Sequence, residues 1–159
     1  SSLTLPNGVA VGALVVVNAF GDVIDPDTGQ ILAGLRNGPN GMDLIDTAAQ
    51  MRAGVSPRGY SRESTTLVAV ATNARLSKVE ATKLAQQAQL GLARTIRPVH
   101  TTLDGDTIFV LATGRVAADL NALGVVAADA VAQAVVRAIK LATGFGGVPS
   151  FADLSQMTR

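Results

Sequence analysis

A chain of 159 residues with 48% hydrophobic side chains can bury one sizeable core, and its length argues for one domain rather than two. A net charge of +1, with the basic residues scattered and aromatic residues at 3%, leaves neither an electrostatic footprint for nucleic acid or an anionic membrane nor a platform for stacking bases. The lack of cysteine excludes disulfides and thiolate metal sites and is compatible with a cytoplasmic protein, while no uninterrupted apolar run reaches the roughly 18 residues of a membrane span and no basic-then-apolar leader is visible.

Taken in chain order, Asn7-Gly8 signals a turn, and Val9 to Asn18 reads as a strand that is apolar on both alternating faces, the pattern of a strand covered on both sides. From Ala19 to Glu63 the composition shifts to glycine, proline, asparagine and aspartate, with Asn37-Gly38-Pro39-Asn40-Gly41 the clearest loop. Only Met42 to Ala53 reads as a short helix there, ended by Gly54, so residues 19–64 are expected to form a long mobile arm. Thr66 to Thr72 reads as a second buried strand. A helix then opens on the capping box Ser77-Lys78-Val79-Glu80, with Ala81, Leu84, Ala85, Ala88 and Leu92 on one face, and stops soon after Arg94, before Pro98. Thr107 to Thr113 is a third strand. Asn121 to Thr143 is a long helix with Val131, Val135, Ile139 and Ala142 on one stripe and Gly144 beyond its end. The tail from Gly144 carries no clear element, and there is no internal repeat. Two helices cannot cover both faces of such strands, which predicts a covering layer supplied from outside these residues.

Thr65 and Thr66 stand at the mouth of the second strand. A threonine hydroxyl is a weak nucleophile that needs an adjacent base, and its own α-amine serves once the chain is cut just before it. The plainer reading is that β-branched residues simply open a strand. A second stretch, Arg97-Pro98-Val99-His100-Thr101-Thr102-Leu103-Asp104-Gly105-Asp106-Thr107-Ile108-Phe109, shifts that balance. Alone, Asp104-Gly105-Asp106 is usually a turn, and it lacks the remaining ligands of a calcium loop, so neither a metal nor a cofactor is expected. Asn18 ends the first strand, where a polar side chain must find hydrogen-bond partners, as in capping a turn. His100, the single histidine, tempts as a general base.

The stretches Thr65 to Asn73 and Arg97 to Phe109 together resemble an autoprocessing hydrolase family. It contains the L-aminopeptidase/D-amidase esterases, the β-peptidyl aminopeptidases and the nylon-oligomer (6-aminohexanoate oligomer) hydrolases. The resemblance runs from about Val9 to about Leu141. It implies a four-layer αββα sandwich of the N-terminal-nucleophile type, with this chain the C-terminal part of a longer precursor: 1–64 the end of an α-subunit-like segment, 65–159 a β-subunit-like one. It implies cleavage between Ser64 and Thr65, where the family usually carries asparagine or glycine before the cut and this chain carries Ser64. Thr65 becomes the nucleophile, Asp104 and Asp106 its carboxylate partners and Asn18 the oxyanion donor, with a further lysine upstream of Ser1. The resemblance assigns His100 no role as a base and leaves it a structural one. The implied partners are the N-terminal segment of the same precursor and further copies in a homo-oligomer, a tetramer or larger. The implied substrates are small peptides, β-peptides or linear amides. Ser64 or Ser1 as nucleophile, and a noncatalytic homologue serving as an assembly or binding module, stay open as alternatives.

Overall fold

The computed structural model describes residues 1–38, 41–55 and 64–157. Its main sheet has four strands in the order β1 (Ser2–Thr4), β2 (Ala10–Val16), β5 (Leu67–Ala74) and β7 (Thr107–Val116). The β1–β2 and β2–β5 pairs are antiparallel, while β5 and β7 run parallel. Parallel neighbours require a crossover, and here it contains α2 (Lys78–Thr95). A smaller sheet orders β4 (Ile31–Ala33), β3 (Asp22–Ile24) and β6 (Ile96–Arg97), all antiparallel. The remaining helices are α1 (Thr47–Arg52), α3 (Leu120–Leu141) and α4 (Phe151–Met157).

The capping box forms as the sequence predicts: the Ser77 hydroxyl accepts from the Glu80 N–H while the Glu80 carboxylate accepts from the Ser77 N–H at 2.7 Å. Those two amides would otherwise be unsatisfied at the start of α2. The predicted stripe is buried at Leu84, Ala88 and Leu92 and meets Val131 and Val135 of α3. The two helices approach closely because Gly91 lacks a side chain; a Cβ there would sit 2.5 Å from the Ala128 carbonyl oxygen. Together they cover one face of the sheet, burying Val11, Val68 and Val70.

The opposite face is apolar and open. Leu14 and Val16 of β2, Leu67 of β5, and Phe109 and Leu111 of β7 are exposed there, Leu14 by 71%. Register places Leu14 opposite Ala69 and Ala69 opposite Phe109, so these side chains form one continuous surface. The doubly apolar pattern of the strands thus has one face covered and one left exposed among the described residues.

Several expectations need correction. The stretch read as a mobile arm contains a hairpin: β3 and β4 pair with each other, β3 also pairs with β6, and Phe20, Val23 and Leu32 are buried. Strands of two or three residues are too short to show a period, which is why composition alone made this region look like loop. Residues 39–40 and 56–63, the latter the end of that arm, lie outside the described residues. The short helix starts at Thr47 rather than Met42, because the Asp46 carboxylate caps it by accepting from the Ala49 N–H at 2.8 Å. The tail also holds α4, whose first turn is fixed by the Ser150 and Asp153 side chains. Finally, α3 is long and apolar enough to cross a membrane by length and composition, although its apolar residues form no uninterrupted run of that length. Half of its most apolar window is buried inside the protein, as expected of a core helix.

Candidate active site

Parallel pairing of β5 with β7 brings their N-terminal ends side by side. Leu67 pairs with Thr107, and an isolated parallel bridge continues the register to Ser64 and Asp104. Two segments far apart in sequence therefore meet at the Ser64–Thr65 peptide, and its contacts with Gly105 and Asp106 follow from that register.

The Ser64 carbonyl oxygen accepts the Gly105 N–H at 2.9 Å and the Thr65 hydroxyl at 2.8 Å. The Thr65 N–H donates to the Asn18 carbonyl oxygen at 2.8 Å. One residue further on, the Thr66 N–H donates to Asp106 Oδ1 at 2.7 Å. Gly105 lies so close to the hydroxyl that a Cβ on it would be 2.7 Å from Thr65 Oγ1.

The two carboxylates of the Asp-Gly-Asp stretch have different surroundings. Asp104 Oδ2 accepts both the N–H and the hydroxyl of Thr101 at 2.8 Å, and its Oδ1 accepts a long bond from the Phe20 N–H at 3.4 Å. It locks its own loop to the segment after β2. The Asp106 side chain is 2% exposed, and its Oδ2 has no hydrogen-bond partner among the described residues. His100 Nδ1 stands 3.6 Å from that oxygen. A buried carboxylate oxygen without a hydrogen bond is costly, and the other oxygen of the same carboxylate holds the Thr66 N–H, one residue from Thr65.

The structure thus brings Thr65, Ser64, Asp104, Asp106 and the main chain of Asn18 into one cluster. Asn18 is an exposed residue two positions beyond the end of β2, not the last residue of a buried strand. With Ser64 it lines a cavity of about 420 Å³ whose other walls include Phe20, Leu35, Arg36 and Thr47. Ser1 is elsewhere, its backbone nitrogen donating to the Ala13 carbonyl oxygen along the sheet edge at 2.9 Å. Among the described residues no group of three acidic, histidine or cysteine side chains could hold a metal.

Sequence reasoning did not foresee two features here. One is the placement of His100, already named as the single histidine, which adopts a left-handed backbone (φ 55°) and leans toward Asp106, something no local pattern encodes. The other is Asp22, completely buried, whose carboxylate accepts the Leu35 N–H, the Thr47 N–H and the Thr47 hydroxyl. It ties together the cavity wall formed by β3, the turn after β4 and the start of α1; Gly34 is needed because a Cβ there would run into the Asp22 carboxylate.

The site thus sets a threonine hydroxyl beside a held carbonyl, with a buried carboxylate next to it, on an α/β scaffold. The scaffold itself has known counterparts. Over 98% of this chain and 44% of the other, it superposes on the L-aminopeptidase D-Ala-esterase/amidase of Ochrobactrum anthropi, described as a variant of the Ntn-hydrolase fold, with a TM-score of 0.64 at 19% identity. An uncharacterized aminopeptidase of Mycobacterium leprae is 38% identical over 174 residues, covering 97% of this chain and 47% of the relative. A 6-aminohexanoate-oligomer endohydrolase of a Kocuria species is 31% identical over 151 residues, covering 83% of this chain and 41% of the relative. The family pattern of peptidase family S58 matches residues 1–150, and the chain belongs to that family. It spans about half the length, or less, of these relatives.

Proposed function

We propose that these residues form the nucleophile-bearing part of an autoprocessing amide hydrolase in which Thr65 is first the cleaving and then the catalytic residue. The observation that carries this reading is the Ser64–Thr65 peptide itself, with the Thr65 hydroxyl 2.8 Å from the oxygen of the carbonyl it would attack. Attack forms a bond from Thr65 Oγ to the Ser64 carbonyl carbon and breaks the bond from that carbon to the Thr65 nitrogen. The hydroxyl proton passes to the departing nitrogen, and water hydrolyses the resulting ester. The freed amine then serves as base for attack on substrate, since an α-amino group ordinarily titrates at about 7.7–8.0, close to neutrality. Asp106 stabilises its charged form, Asp104 holds the loop that presents Asp106, and Asn18 borders the space beside Ser64 where an acyl group would sit.

Small peptides, β-peptides or linear amides with a free amine suit this site. The open apolar face of the sheet supports a further reading, that an N-terminal segment of the same precursor supplies the second sheet of an αββα sandwich and that such units assemble into a homo-oligomer. The test is the denatured mass of the full-length protein beside its Thr65→Ala variant. The parent is expected to yield a fragment beginning at Thr65 and the variant to stay intact; a variant still cut at this bond excludes Thr65 as the processing nucleophile.

A further inference from the structure

We infer that the backbone N–H of Gly105 is the oxyanion donor for cleavage of the Ser64–Thr65 bond, and that position 105 is glycine because the nucleophile needs the space a side chain would fill. The inference rests on the proposed self-cleavage and adds a catalytic group to it.

Three observations carry it. The Gly105 N–H already donates to the Ser64 carbonyl oxygen at 2.9 Å, within the range of an oxyanion contact. This bond is a product of strand register, since the bridge between Ser64 and Asp104 continues the β5–β7 pairing, so the donor is fixed in place before any chemistry begins. And Gly105 approaches the nucleophile more closely than a side chain would permit, with a Cβ at 2.7 Å from Thr65 Oγ1 and 3.7 Å from the Ser64 oxygen. Its φ is not left-handed, so backbone conformation does not explain the glycine; proximity to the hydroxyl does.

As Thr65 Oγ bonds to the carbonyl carbon, the π pair moves onto the Ser64 oxygen. The Thr65 hydroxyl, which donates to that oxygen in the resting state, is consumed by the attack, whereas the Gly105 N–H stays and strengthens as negative charge develops. Collapse of the tetrahedral species expels the Thr65 nitrogen, which takes up the hydroxyl proton, and the oxygen returns to a carbonyl, now of an ester.

The experiment replaces single amides by esters in semisynthetic full-length protein and follows cleavage by denaturing mass analysis. Gly105 is replaced by glycolic acid, which removes the N–H and adds no bulk. As a control, Thr107 is replaced by its α-hydroxy acid, which removes the neighbouring sheet bond to the Thr66 carbonyl at 3.0 Å. The ester at 105 is expected to slow cleavage by about 10²-fold or more, as for loss of one oxyanion donor, and the ester at 107 by only a few-fold. Gly105→Ala is expected to leave the chain uncut. Equal rates for the ester at 105 and the unmodified protein, or equal slowing by both esters, would overturn the inference while leaving self-cleavage standing. An unmodified protein that is never cut at Ser64–Thr65 would remove the underlying reading and the inference with it.

Discussion

Behind the sheet, Leu84 and Leu92 of α2 and Val131 and Val135 of α3 are completely buried in an apolar layer. At the N-terminal ends of β5 and β7, by contrast, a hydroxyl, two carboxylates and several amides crowd together, and Asp106 Oδ2 is left without a hydrogen bond among the described residues. The same two strands contribute to both regions. The difference teaches that substitutions in the helix layer should act through stability alone and substitutions at the strand ends mainly through chemistry, with Asp104 between the two.

The sharpest way to break this comparison is Asp106→Asn. The amide oxygen still accepts the Thr66 N–H, so the fold is expected to survive, while turnover of an amide substrate falls by about 10²- to 10⁴-fold; unchanged kinetics would return the Asp-Gly-Asp stretch to a plain turn. Next in size is Leu92→Ala, expected to cost about 2–5 kcal/mol of unfolding free energy in denaturant titration, with cleavage at Ser64–Thr65 still running to completion in the folded fraction. Asp104→Asn is expected to fall between the regions. It weakens the charge-assisted bonds from Thr101, costing about 1.5–3 kcal/mol, and loosens the loop that carries Gly105 and Asp106, so stability and cleavage rate should drop together; a rate loss without any stability loss would move Asp104 into the chemical group.

The smallest effect is expected at a pair remote from the site. The Lys140 ammonium donates to Asp25 Oδ2 at 2.8 Å and, with the Asp27 N–H, holds the Asp25 carboxyl below its ordinary range. A lowered folded value means that this contribution to stability is complete above the unfolded pKa of about 3.9 and is lost as pH falls through the folded one. Lys140→Met should therefore lower the thermal midpoint slightly at neutral pH, and the deficit should shrink as the pH falls below the ordinary carboxylate range. A deficit that persists in acid would show that packing of the lysine stem, rather than charge, was lost.

The helix layer was legible in the sequence because its signals are local. Ser77 and Glu80 name the start of α2, and Leu84, Ala88 and Leu92 name its buried face. The small sheet was not legible, since β3, β4 and β6 have two or three residues each and exist only by pairing with one another. The same holds for Asp22, whose burial depends on Leu35 and Thr47 folding back over it. At the candidate site, the residue types at 65, 104 and 106 were readable from their resemblance to a family motif, but their meeting was not: it depends on strand register. Nothing in the local sequence distinguished Asp104, bound to Thr101, from Asp106, bound to the backbone of Thr66.

That register has a consequence for how the chain tolerates changes in length. The Thr66 amide and the Asp106 carboxylate are 40 positions apart in sequence, yet their contact depends only on where β7 starts against β5. A residue added in the exposed connection from β5 to α2 around Arg75 can be absorbed as slack at the surface. A residue added between Asp106 and Thr107 cannot: it would slide Gly105 and Asp106 one step along the edge of Thr65 and turn their side chains to the opposite face of the strand. Insertions and deletions among relatives should accordingly be admitted in that connection and barred from the three peptides between Asp104 and Thr107.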